Sequence, residues 1–227
     1  MKKHVIYLFL IMLIASQNTA QVKIGLMGGM NFSDARNKQL FFYNPQTELK
    51  SAFGGIIEFP VNNNFSIRLE PQYSEKGTSC SPVSFLFFSP KVFLELYYIE
   101  VPVLFNYSMG ETLRPYIFMG PTFGFNTGSN VGVESGLFDL AIEADDFIKD
   151  YELSFNLGGG ISYQIDELIS IFLEAKYVFG LTNVLKSGST ELELGDHSFN
   201  FGLPGESNYK NRNFQITAGF SFPLVIN

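Results

Sequence analysis

The sequence predicts an eight-stranded antiparallel up-and-down β-barrel that crosses a membrane, preceded by a cleavable signal peptide. Three observations predict it: segments of about ten residues that alternate in polarity, an apolar N-terminal run too short to span a bilayer, and connections that alternate between short and long. The composition agrees, because 16% of the 227 residues are aromatic and only 16% are charged. We divide the chain into a signal peptide, residues 1–20, and one barrel domain, residues 21–227.

The first 20 residues have the features of an export signal. Lys2 and Lys3 form a positive start, and Val5 to Ala15 form the apolar run. Such a run, followed by small residues near Ala20, is typical of a secretory signal peptide that is cleaved after export. No later run reaches the 18 or so apolar residues that a membrane helix needs.

The clearest alternation begins at Tyr97 and ends at Tyr107. Every second residue between these two tyrosines is apolar, and the residues between them include Glu100 and Asn106. A period of two indicates a strand with two different faces. Ten residues at about 3.4 Å each, tilted by about 45°, span roughly 24 Å along a membrane normal. That length fits the outward apolar band of about 25 Å, edged with aromatic residues, on an outer-membrane barrel.

The same alternation recurs along the chain and predicts eight strands. Their approximate bounds are residues 22–33, 49–59, 65–75, 94–107, 114–125, 151–163, 168–181 and 211–222. The predicted short turns are residues 60–64, 108–113 and 164–167, and the predicted long loops are residues 34–48, 76–91, 128–149 and 182–210. Bacterial barrels have even strand numbers, short periplasmic turns and long extracellular loops, so we place the short turns in the periplasm.

Charged residues recur on the face that the alternation turns inward. They are Lys23, Glu58, Arg68, Glu70, Glu100, Glu152, Glu174 and Lys176. An eight-stranded barrel is just wide enough to be filled by side chains, and unpaired charges there are costly. We therefore expect Arg68 and Lys176 to pair with some of the acids, and the candidate network is Arg68, Glu70, Glu100, Glu174 and Lys176. A structural polar core is the favoured interpretation, and a narrow proton or ion path is the alternative.

The sequence offers little for catalysis, metals, cofactors or nucleic acid. After signal removal His197 is the only histidine, and it lies in a predicted loop where no strand holds it for general base catalysis. The run Gly158–Gly160 lies inside a predicted strand, which favours close packing or a bend over a phosphate loop. The acidic stretch from Glu134 to Asp150 favours a solvated surface loop over a divalent cation site, because its spacing matches no calcium loop. A net charge of −7 argues against nucleic acid.

Four phrases of the sequence resemble a known family. They are residues 98–104 (YIEVPVL), residues 114–116 with 120–121 (RPY and GP), residues 70–77 (EPQYSEKG), and residues 174–177 with 180–183 (EAKY and GLTN). Together, and in this order, they resemble the PorT-like outer-membrane β-barrel family. The resemblance implies an eight-stranded barrel in the outer membrane. The family's namesake is associated with a protein-secretion system, and no active-site residue is implied.

The functional expectation is a non-enzymatic barrel of the outer membrane that holds no cofactor. We expect outer-membrane lipid around it, and envelope or secretion-system proteins as partners at its loops. A small-solute channel is one alternative, and a barrel enzyme that acts on lipid or peptide is another. The single cysteine, Cys80, cannot form an internal disulfide and is expected to be a spare thiol, with intermolecular pairing as the alternative.

Overall fold

The structure, a computed structural model, describes residues 21–35, 46–80, 91–135, 138–186, 189–194, 197–202 and 210–224. The predicted signal peptide lies outside these ranges. Among the described residues, no helix is long and apolar enough to cross a membrane.

The described residues form twelve β-strands. Their bounds are β1 Lys23–Ala35, β2 Gln46–Pro60, β3 Phe65–Leu69, β4 Gln72–Cys80, β5 Lys91–Ser108, β6 Leu113–Ser135, β7 Phe138–Glu143, β8 Tyr151–Gln164, β9 Ser170–Gly180, β10 Ser189–Leu194, β11 His197–Gly202 and β12 Asn211–Pro223. Strands β3 and β4 are one barrel strand interrupted at Glu70 and Pro71, since both pair with β2 on one side and β5 on the other. Proline has no N–H to donate to a strand ladder, which accounts for the interruption.

The strands close into a barrel. Each barrel strand pairs antiparallel with its chain neighbours, and β12 pairs with β1 along its full length, from Lys23 opposite Pro223 to Ala35 opposite Asn211. Counting β3 and β4 as one, the barrel has eight strands: β1, β2, β3/β4, β5, β6, β8, β9 and β12. The predicted fold class is confirmed. Closure leaves no unpaired barrel edge, as hydrocarbon requires.

The two faces of the barrel differ as the alternation predicts. Outward side chains such as Phe53, Ile117 and Leu157 are about half exposed. Inward neighbours such as Asn156 and Thr217 are fully buried. An apolar exterior around a polar interior is the reverse of a water-soluble protein and is what a lipid-facing barrel needs.

Glycines make room for inward aromatic rings. A Cβ at Gly158 would lie 2.6 Å from a ring atom of Phe118, and one at Gly160 would lie 2.7 Å from the ring of Tyr116. Real Cβ contacts are essentially never that short. The close packing predicted for the glycine run is therefore confirmed, and these two rings occupy space that side chains on β8 would otherwise need.

Several strands extend beyond the membrane at the end opposite the short turns, which corrects the predicted loops. Strand β5 has 18 residues and β6 has 23, whereas crossing needs about 9–11. The interpretation of residues 76–91 as a loop was wrong at its start, because β4 continues to Cys80. Residues 128–149 contain the end of β6 and all of β7, and His197 begins β11 rather than lying in a loop. Outside lipid a strand needs no apolar face, so the sequence signal fades there.

Candidate functional site

The first group of buried charges surrounds Arg68 in the lower half of the barrel, towards the short turns. Its Nη2 lies 2.6 Å from Oε1 of Glu70 and 2.7 Å from Oε2 of Glu174. The second oxygen of Glu70 lies 2.7 Å from Nζ of Lys176. These four side chains come from β3, β9 and the interruption before β4, and each is at least 96% buried. They form one chain of alternating charge across the interior.

Aromatic and hydroxyl side chains complete this lower group. The Tyr116 hydroxyl donates to Oε2 of Glu174 at 3.0 Å, and the Thr217 hydroxyl donates to Oε1 at 2.9 Å. The Arg68 guanidinium lies 5.3 Å from the centre of the Tyr116 ring and 4.9 Å from that of Phe118. Hydrogen bonds to both oxygens of Glu174 and rings beside the cation offset part of the cost of burying these charges.

The second group surrounds Lys76 in the upper half of the barrel. Its Nζ lies 2.6 Å from Oε1 of Glu100 and 3.1 Å from Oε2 of Glu152. Asn211 donates to the same Glu152 oxygen at 2.9 Å. The centre of the Tyr98 ring lies 4.7 Å from the ammonium. Like Arg68 in the lower group, Lys76 lies between two carboxylates and against an aromatic ring.

Two glutamines extend the upper group towards the lower one. Gln215 donates to the side-chain oxygen of Gln72 at 3.1 Å, and Gln72 donates to Glu100 at 2.9 Å. Gln215 lies opposite Lys176 in the β9–β12 pairing. Polar side chains therefore extend from the upper group, through the middle of the barrel, to the strand position beside Lys176.

The structure places all five residues of the candidate network inside the barrel. The partner of Glu100, however, is a residue of the predicted loop 76–91. That residue is Lys76, which is 1% exposed. With Lys76 included, three cations face four carboxylates in the fully buried core, so the excess of acids seen in the sequence falls to one. The inward alternation of polar residues from Ser74 to Thr78 was the signal that could have found it.

Chain segments cover the extracellular mouth of the barrel. Ile148 and Val184, from the connections after β7 and β9, pack on Leu94, Leu96 and Tyr98. Both capping side chains are at most 2% exposed. An apolar cluster thus closes the barrel above the Lys76 group.

Backbone hydrogen bonds hold the two covering segments together. The Lys149 N–H donates to the Val184 carbonyl, and the Lys186 N–H donates to the Phe147 carbonyl, both at 2.8 Å. Ile148 and Leu185 form an antiparallel bridge between them. The Ser129 hydroxyl on β6 donates to Asp145 at 2.5 Å, which anchors the first segment to the barrel wall.

A polar cavity of about 690 Å³ opens at the other end, between the short turns. We name it the periplasmic vestibule. Its lining includes Lys23, Glu58, Asn63, Arg114 and Glu167. A small extension of about 40 Å³, which shares Lys23, Glu58 and Arg114 with it, reaches Arg68. The vestibule is the larger of the two spaces described at this end of the barrel.

Ion pairs also bridge the strand extensions on the extracellular side. Lys50 lies 2.5 Å from Glu95, and Lys91 lies 2.8 Å from Glu48. Burial alone would raise the pKa of both carboxyls, but hydrogen bonds from these lysines and from neighbouring hydroxyls outweigh it, so each pKa lies below its usual value. The described residues contain no group of three or more His, Cys, Asp or Glu that could hold a metal ion.

A closed eight-stranded barrel with an apolar exterior and a filled polar interior defines an integral protein of the outer membrane. Sequence comparison assigns the family, since the model of the outer membrane protein beta-barrel domain family matches residues 15–186. The chain belongs to that family, and the predicted outer-membrane location is confirmed. The comparison with curated proteins found no match.

Solved structures agree with the fold. A major outer membrane protein from Thermus thermophilus aligns with TM-score 0.52 and 11% identity over 90% of this chain and 100% of its own. The outer membrane protein OprG from Pseudomonas aeruginosa aligns with TM-score 0.49 and 12% identity over 91% and 97% of the two chains. Neisserial surface protein A aligns with TM-score 0.45 and 10% identity over 90% and 98%. At 11% identity the Thermus protein supports the architecture alone.

Proposed function

We propose that this protein is a non-enzymatic outer-membrane barrel that contacts a protein partner in the envelope and supports secretion or transport there. The four PorT-like phrases support a role beside a secretion apparatus. One of them contains Glu70, and another contains Glu174 and Lys176, so the phrases coincide with the interior network. The phrases therefore specify a filled barrel, whose available surfaces are its ends and its outer face.

The occupied interior is the observation that carries this proposal. Side chains of the two charged groups fill the middle of the barrel, and Ile148 and Val184 close its mouth. A solute would have to break several buried ion pairs to pass. The function that fits a filled barrel is recognition at its ends rather than conduction through its middle.

The same burial supports the absence of catalysis. The carboxylates of Glu70, Glu100, Glu152 and Glu174 are each engaged by a cation, and all are at most 3% exposed. A general base must be within hydrogen-bond reach of a substrate proton. Acids that are held by cations in this way are not free to act as general bases.

Crosslinking in the native envelope tests the proposal. Mild crosslinking followed by purification of the tagged barrel should recover a defined set of envelope proteins, including components of a secretion system. A barrel of the same family that lacks the four phrases, expressed at the same level, is the control. Recovery of the same proteins with both barrels, or of none, would count against a partner role.

A small-solute channel is the second candidate, because the periplasmic vestibule already reaches Arg68. Planar bilayer recording separates the two. We expect the wild-type barrel to show no conductance steps. Regular steps in wild type that change size in Val184→Asp would favour the channel.

A further inference from the structure

The periplasmic vestibule contains two cations that form no close ion pair among the described residues, although Glu58, Glu111 and Glu167 also line it and Glu58 lies opposite Lys23 in the β1–β2 pairing. Arg114 donates from Nη2 to the Asn63 carbonyl at 2.8 Å and to the Ser108 hydroxyl at 2.7 Å, and both acceptors are uncharged. Among the described residues, neither Arg114 nor Lys23 forms a salt bridge. All other arginines and lysines that line the cavities at either end of the barrel do have a carboxylate partner.

Buried polar atoms without partners lie at the bottom of the same space. Nε of Arg68 and Oδ1 of Asn106 have no hydrogen-bond partner in the structure. Their side chains line the small extension of the vestibule, and the two residues are 3% and 5% exposed. Each atom exposes less than 1 Å², so a ligand reaches it only when the extension widens. A ligand atom there would be stabilised, because leaving such buried groups unsatisfied is costly. One is a donor and the other is an acceptor.

The two cations and the two unpartnered atoms together determine which kind of ligand fits the vestibule. The cations Arg114 and Lys23 and the free N–H of Arg68 favour an anionic oxygen. The free oxygen of Asn106 needs a donor beside that anion. Glu58 lies in the same wall, where it accepts from Ser66 at 2.5 Å, and it repels a dianion more than a monoanion. A carboxylate attached to a peptide N–H meets all of these requirements.

We propose that the periplasmic vestibule binds the carboxylate end of a peptide segment from a periplasmic partner. The volume of about 690 Å³ is within the range of about 300–1,000 Å³ that is usual for ligand pockets. Arg114 and Lys23 hold the carboxylate, and Asn106 accepts from the adjacent peptide N–H. This inference rests on the proposed partner role and names the chemistry and the end of the barrel that would carry it.

Peptide titration tests it on the complete mature barrel in non-ionic detergent. The probe is the tetrapeptide Ala-Gly-Ser-Ala with an uncharged fluorophore at its amino end, and anisotropy reports binding. We expect saturable binding of the free acid and binding of the amide that is weaker by about tenfold or more. Arg114→Gln should weaken binding of the acid by a similar factor. Arg212→Gln, which removes the same charge from an exposed position on β12 at the extracellular end, should leave binding unchanged.

Other outcomes of the titration overturn the inference. These are no saturable binding of the acid, equal binding of acid and amide, or equal binding to wild type and Arg114→Gln. Displacement of the peptide by inorganic phosphate at equal concentration also overturns it, because the site would then be a general anion site. Arg114 also donates a hydrogen bond to the turn at Asn63. Lys23→Gln therefore serves as a second variant, which removes a positive charge from the vestibule and keeps that hydrogen bond.

A photocrosslinking residue separates this inference from the proposed function. It is placed in living cells at Asn63, on the periplasmic turn between β2 and β3, or at Leu140, on the extracellular hairpin that β6 and β7 form. A partner captured from Asn63, and no longer captured in Arg114→Gln, supports the vestibule. A partner captured from Leu140 alone overturns the vestibule and leaves the partner role standing.

Discussion

The buried lysine of the upper group gives the sharpest stability prediction. Lys76→Met removes the ammonium that lies 2.6 Å from Glu100 and 3.1 Å from Glu152, and it keeps a side chain of similar length. The fully buried core would then hold two cations and four carboxylates. Breaking a buried pair by removing one partner typically costs about 3–5 kcal/mol, because a charge is left uncompensated. We expect the free energy of unfolding to fall by that amount.

The assay is urea unfolding of the mature barrel in phosphocholine vesicles, followed by far-UV circular dichroism. The chain contains no tryptophan, so the backbone signal is the suitable probe. Lys91→Met is the matched control, because Lys91 also pairs with a glutamate, at 2.8 Å, but its side chain is 35% exposed. Partly exposed pairs contribute at most about 1 kcal/mol.

A second substitution tests the electrostatic cause. Adding Glu152→Gln to Lys76→Met removes one of the two uncompensated charges and should recover part of the lost stability. If Lys76→Met costs no more than Lys91→Met, or if the second substitution recovers nothing, the network does not stabilise the barrel in the way we describe.

Three further predictions concern the outer face, the glycines and the extracellular rim. Met119→Lys, near the middle of the part of β6 that crosses the membrane, should destabilise the barrel by about 2–4 kcal/mol in the same vesicle assay, whereas Leu113→Lys at its periplasmic end should cost about 0–1 kcal/mol; equal costs would place the membrane elsewhere. Gly160→Ala should cost about 1–3 kcal/mol, because the new Cβ meets a tyrosine ring, and Gly28→Ala, which meets nothing within 4 Å, should be neutral. The pKa of Glu95 is lowered in the folded barrel, so its stabilising contribution is present above the ordinary pKa of about 4.3 and is lost as the pH falls through the folded-state pKa. The urea midpoints of wild type and Glu95→Gln should therefore differ at pH 7 and approach each other as the pH is lowered below the ordinary pKa.

The barrel could be predicted from the sequence because lipid imposes its own pattern. Where a strand faces hydrocarbon, its outward residues must be apolar, whereas many of the inward residues of this barrel are polar. This alternation located all eight membrane-crossing segments, including the one from Tyr97 to Tyr107. The predicted strand bounds end where the apolar outward residues end, although the strands themselves continue into the extracellular space.

The interior was harder to predict from the sequence, because the alternation in polarity is lost where a strand leaves the membrane. Beyond Tyr73 the outward positions of β4 are Glu75, Gly77 and Ser79, so no apolar face remains, and Lys76 was assigned to a loop. The partners of each charge could not be deduced either, because they depend on the stagger of the strands around the barrel. The vestibule was missed because it is formed by three turns whose proximity becomes visible only once the barrel is closed.

The ion pairs of the lower group have a consequence for how the protein is made. Arg68 and Glu174 are separated by 106 positions along the chain, as are Glu70 and Lys176. Arg68 can pair with Glu70 within the first half of the chain, but the pairs that Glu174 and Lys176 form in the closed barrel need both halves. A hairpin that entered the bilayer before these partners arrived would carry incompletely paired charges into hydrocarbon, at a cost of several kcal/mol. The interior ion pairs therefore favour insertion that is coupled to closure, because only the closed barrel supplies every buried charge with its full set of partners.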